Sequence, residues 1–129
     1  MKYYNSKKIA NTTLATIRPK VVEELKKEGF GVLTEIDLKA TMKNKLNKDY
    51  LPHVILGACN PGYADKVLSI EPTISTMLPC NVTIRELGNG DVEIAIIDPS
   101  AAMGAVGNSE LEEAANEVQN KLMKVLYNI

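Results

Sequence analysis

Two cysteines stand at positions 59 and 80, and each is followed by an asparagine. Thiolates are nucleophiles and soft metal ligands, so two of them in one place would make a redox pair or hold a soft ion such as Cu(I) or Zn(II). The competing reading is two small buried hydrophobes, a common fate of free cysteines. Cys59-Asn60-Pro61 has the composition of a helix start. Asn is a good N-cap, and Pro suits the first helical position, where no amide donor is needed. Cys59 is therefore expected just outside a helix N-terminus, where the partial positive charge favours a thiolate.

The same junction offers a second chemistry. Asn60 and the free amides of Gly62 and Tyr63 would form an anion cradle. Asn81, Thr83 and Arg85 alternate along the following strand, so they share a face and would line one wall. Asn81 also admits a plainer role, satisfying backbone at the strand start. A thiol enzyme would use Cys59 as nucleophile, with Asn81 or backbone amides holding an oxyanion. That reading lacks a general base, because His53 is six residues from Cys59 on one strand, roughly 20 Å at about 3.3 Å per residue. His53 reads instead as a strand-end histidine bonded to backbone. Structural zinc wants four ligands, and two Cys with one His leave no closed site within one chain. Cys59 and Cys80 from two chains would supply four thiolates. The expected ligand-binding set is Cys59, Asn60, Gly62, Cys80, Asn81 and Arg85, and it identifies no particular cofactor.

Other polar groups have structural explanations. Glu35 and Asp37 share a strand face and suggest paired carboxylates, but read better as a solvated position and a helix cap. Met77 and Met103 read as core filler. Gly104 to Gly107 lacks the lysine and spacing of a phosphate loop.

The elements that must position these residues follow from periodicity. Lys2 to Ile9 suggests a marginal edge strand. Thr12 and Thr13 are candidate caps of a helix to Glu28, with Leu14, Ile17, Val21, Val22 and Leu25 at helical spacing despite Pro19. Gly31 to Asp37 alternates like a strand, and Asp37 caps a short helix bearing Leu38, Met42 and Leu46. His53 to Leu56 is a buried strand, where Gly57 and Ala58 allow another group to come close. A helix runs from Pro61 to about Ile70, and Pro72 starts one further turn through Met77. A strand covers 79 to 87, and Gly88-Asn89-Gly90 marks a hairpin turn in which Asn-Gly supplies left-handed residues. Val92 to Ile97 returns, and Asp98-Pro99 opens a short helix to Met103. Ser109 with Glu112 forms a capping box for a last helix to about Leu126.

This order predicts an α+β fold. It is a single two-layer domain over residues 1–129, with a mixed, mostly antiparallel sheet of about five strands and the main helices on one face. If Val32, Ile36, Val54, Leu56 and Ile94 make the other sheet face apolar, a homodimer is the simplest cover. Net charge is −1, from 15 basic and 16 acidic residues, which argues against a nucleic-acid partner. The polar start lacks a signal-peptide core, and no run approaches the roughly 18 apolar residues of a membrane span. With two cysteines, a cytosolic location with reduced thiols is expected.

The segments Gly29 to Asp37, Leu56 to Pro61 and Leu78 to Val82, with Asp98-Pro99 and Gly107-Asn108, resemble one family. It is the bacterial and archaeal domain of unknown function numbered three hundred and two. The resemblance covers roughly Gly29 to Leu126 and departs from the family at Gly62, where bulkier residues are usual. It implies an α+β fold and a dimer, and it implies no activity. Cys59, Asn60, Pro61, Cys80 and Asn81 occupy the family's signature positions. Taken together, the expected function is small-ligand binding at the Cys59/Cys80 junction: an anion, a thiol-reactive molecule or a soft metal. The alternatives are a thiol enzyme and a dimeric interaction module without a ligand.

Overall fold

The structure is a computed structural model that describes residues 2–129. Five strands form one sheet: β1 (Tyr4–Ile9), β2 (Gly31–Asp37), β3 (His53–Cys59), β4 (Cys80–Glu86) and β5 (Val92–Ile97). Their spatial order is β1-β5-β4-β3-β2, and every pairing is antiparallel. The expected mixed sheet is therefore corrected to a purely antiparallel one. The helices are α1 (Leu14–Lys27), α2 (Leu38–Leu46), α3 (Pro61–Ile70), α4 (Pro99–Gly104) and α5 (Ser109–Asn128), with a 3₁₀ turn at Pro72–Met77.

Alternation decides which strand residues meet the helices. Val54, Leu56, Val82, Ile84, Val92, Ile94 and Ile96 are buried and join Ile17, Val21 and Leu25 of α1 and Val118, Leu122 and Val125 of α5 in the main core. Val67, Ile74, Met103, Leu111, Ala114 and Ala115 form a second cluster joining α3, α4, α5 and the 3₁₀ turn. Met103 thus fills core as expected, whereas Met77 is 43 % exposed and does not.

The opposite sheet face carries His53, Ile55, Asn81, Thr83, Arg85, Glu93, Ala95 and Ile97, paired across strands by register. Of the five residues used to argue for a covered second face, Val54, Leu56 and Ile94 lie in the helix-side core, and Val32 packs against it. Only Ile36, opposite Ile55, belongs to the open face. The residue argument for that cover therefore falls, because the open face is the mixed polar surface typical of a half-solvated antiparallel sheet.

The caps explain where the helices begin. Thr13 accepts from the Thr16 amide, and Glu86 of β4 accepts from the Leu14 amide at 3.0 Å, so two side chains satisfy the start of α1. Pro19 sits inside α1, as the longer helix required. Asp37 caps α2 through the Ala40 amide at 3.0 Å. No residue of α2 is buried, so its apolar spacing does not mark a core face. Asn108, not Ser109, is the N-cap of α5, accepting from the Glu110 amide; with Leu111 three residues on, this single cap replaces the expected capping box. At the β4–β5 turn the left-handed residues are Gly88 and Gly90, while the Asn89 side chain accepts from the Asp91 amide.

Lys7 of β1 reaches the far end of α5. Its Nζ donates to the carbonyls of Ile129 at 2.6 Å and Tyr127 at 3.2 Å, a cation placed at the negative end of the helix. No helix among the described residues is long and apolar enough to cross a membrane.

Candidate functional site

Strand β3 ends at Cys59, and α3 begins two residues later at Pro61. On the neighbouring strand Cys80 opens β4 directly opposite Ala58. Both cysteines are free and partly buried. Together they border one small cavity of about 30 Å³ between the sheet, α3 and α5. That is room for one or two water-sized groups. Phe30, Ala58, Val67, Leu78, Met103 and Ala115 make most of its wall apolar, and Asn60 and Tyr63 join the two cysteines as its polar members. Burial pushes the Cys80 thiol up to about 11, and the neighbouring Cys59 adds to that shift. Cys80 is therefore a neutral thiol near pH 7. Tyr63 is also raised, by the Glu117 carboxylate that accepts from its hydroxyl and by burial.

Asn60 does not cap α3 with its side chain. Its Nδ2 donates instead to the carbonyl of Glu28 at 3.3 Å, across 32 residues of chain. Glu28 follows α1, and Gly29 then takes φ +86°, with Asn60 packed against it. The signature asparagine thus ties the end of α1 to the start of α3. This correction weakens the anion cradle: the amide meant to complete it is turned away, Gly62 is no part of the cavity wall, and no cationic side chain lines it.

Asn81 and Arg85 do not join the cysteines. Side chains alternate along β4, so Cys80 packs against the helix-side core while Asn81, Thr83 and Arg85 line a groove on the other face. The three do share a face, as their spacing requires, but not the face of Cys80. Asn81 is exposed, and its side chain makes no hydrogen bond to backbone among the described residues, which also corrects its plainer reading. His53 sits in that groove too, and its side chain makes no hydrogen bond to backbone among the described residues. Burial and the Arg85 charge lower its pKa. Among the described residues, no group of three or more His, Cys, Asp or Glu is placed to hold a metal ion.

The paired-carboxylate reading dissolves on geometry. Arg18 Nε donates to Glu35 at 2.9 Å, and the hydrogen bond from Arg18 is the main cause of the lowered Glu35 pKa. Asp37 caps α2. Gly57 was read as a place of close approach, and what approaches is protein. A Cβ there would collide with the Thr34 hydroxyl and would meet the Pro79 ring at 2.8 Å.

A five-stranded antiparallel sheet with its main helices on one face defines a two-layer α+β domain. The chain belongs to the DUF302 family: the model for "Domain of unknown function DUF302" matches residues 6–129. The match takes in β1 and α1, so the family domain starts well before Gly29. The chain is similar to a solved protein described as "Crystal structure of uncharacterized conserved protein DUF302 from Bacillus stearothermophilus". That likeness has 27 % identity and a TM-score of 0.90, and it covers 99 % of this chain and 98 % of the other. No curated protein matches the chain.

Proposed function

We propose that the protein binds a small thiol-seeking species, with a soft monovalent cation such as Cu(I) as the favoured case, between Cys59 and Cys80. The supporting observation is that both free thiols border one cavity of about 30 Å³ whose walls are otherwise mostly apolar. Soft thiolates favour Cu(I), zinc and iron–sulfur clusters, and of these Cu(I) needs only two sulfurs, in linear coordination, where structural zinc wants four ligands. The raised Cys80 pKa means that binding must displace a proton, so affinity rises with pH. A free anion is the weaker candidate, because it would enter an apolar cavity without a cationic partner.

The test is an anaerobic titration of reduced protein with Cu(I) against a chromogenic Cu(I) chelator. One equivalent bound per chain, lost in both Cys59→Ser and Cys80→Ser, is expected. Failure to compete with the chelator, or binding that survives either substitution, would sink the reading.

A second reading concerns assembly. Among the described residues, five of the ten exposed large apolar ones fall between positions 33 and 51: Leu33, Ile36, Leu46, Tyr50 and Leu51. They lie on edge strand β2 or in the α2 region that follows it. Apolar side chains concentrated beside a sheet edge favour a homodimer through that edge.

A further inference from the structure

We propose that the groove on the open face of the sheet is a second ligand site, distinct from the cysteine cavity, which takes a small, planar, uncharged molecule bearing an amide or heteroaromatic ring. The groove encloses about 380 Å³, within the range of roughly 300–1,000 Å³ usual for small-molecule sites. Its floor is set by register. His53 stands opposite Arg85, Arg85 opposite Glu93, and Thr83 opposite Ala95. Tyr3 and Tyr4 bound one side, their ring centroids 5.0 Å apart and tilted by 60°. Such rings offer a face or an edge to a flat ligand.

The polar groups have hydrogen-bonding capacity left over. Asn81, Thr83 and His53 make no side-chain hydrogen bond to other described residues. An amide, a hydroxyl and an imidazole together present both donors and acceptors, the pattern that a carboxamide or ring nitrogen would complement. The charges are already engaged. Arg85 Nε donates to Glu93 at 2.9 Å, so the charged pair on the groove floor neutralises itself, and the Lys2 ammonium is stacked on the Tyr4 ring, 5.3 Å from its centroid. Burial and Arg85 disfavour the imidazolium of His53. A carboxylate or ammonium entering here would have to compete with a pair already formed.

The test uses nicotinamide as probe and nicotinate, the same shape with a full negative charge, as control. Amide chemical shifts of the full chain would be followed by two-dimensional NMR as each is added. Nicotinamide should move resonances of β3, β4 and β5 on the open face, leave those around Cys59 and Cys80 in place, and bind more tightly than nicotinate. The double variant Asn81→Ala/Thr83→Val should weaken binding about tenfold, the scale of one net hydrogen bond. Its unperturbed spectrum elsewhere would show that it still folds. Absence of shifts in the groove up to the solubility limit would overturn the site, as would shifts that the double variant leaves unchanged. Nicotinate binding as well as or better than nicotinamide would overturn the uncharged class. Because the cysteine cavity plays no part, Cys59→Ser should leave the nicotinamide result unaltered.

Discussion

Cys80 and Asn81 are neighbours in the chain and lie on opposite faces of one sheet. The placing of Cys59 and Cys80 at adjoining strand ends was legible in sequence, because a strand that ends in Cys59 and a strand that begins at Cys80 need only pair. Grouping Asn81 and Arg85 with them was an error of period: in a strand, a step of one residue changes the face. The turn of Asn60 toward Glu28 was not legible, since it joins residues 32 apart through tertiary packing alone. The thiol itself gives a prediction with a defined sign. The folded chain holds the Cys80 proton more tightly than an ordinary thiol at 9.0, with its own value at about 11. That stabilisation is complete below about pH 9 and is lost as pH rises toward 11, a change of roughly 2–3 kcal/mol. Urea unfolding of wild type and Cys80→Ala should therefore show a stability gap that narrows across this window. A constant gap would mean that burial does not hold the proton.

Among the elements, β3 is the one on which the site depends. It lies inside the sheet, between β4 and edge strand β2, and its last residues must pass under Thr34 and Pro79 before delivering Cys59 to α3. Gly57→Ala inserts a methyl group where there is no room, so a loss of about 1–3 kcal/mol is expected, read as a lower thermal midpoint. Combining it with Thr34→Ala removes the nearest obstacle and should recover part of the loss. An unchanged midpoint in Gly57→Ala would show that the close approach is not maintained. The helices were legible wherever one face is packed: Leu111, Ala114, Ala115, Val118, Leu122 and Val125 of α5 are all buried at helical spacing. The periodicity of α2 correctly gave a short helix capped by Asp37, although none of its residues is buried.

At the scale of the whole molecule, the α+β class and the five strands followed from punctuation by Gly, Pro and Asp-Pro. The strictly antiparallel order did not, because sequence periodicity says nothing about which strand lies beside which. The assembly prediction belongs here. Light scattering should give twice the mass of one chain, and Leu33→Lys/Ile36→Lys should return it to one, since edge lysines oppose strand-edge association. A monomer at every concentration would remove the proposal.

Strand β1 has one partner, β5, which begins at Val92, and its Lys7 closes on carbonyls beyond residue 126. On a ribosome, residues 4–9 therefore emerge long before anything exists for them to bind. Strands β2, β3 and β4 can zip together in the interim through shorter loops, which cost less entropy to close. The strand made before the other four is thus the last to be fastened, and until then one flank of the sheet stands open.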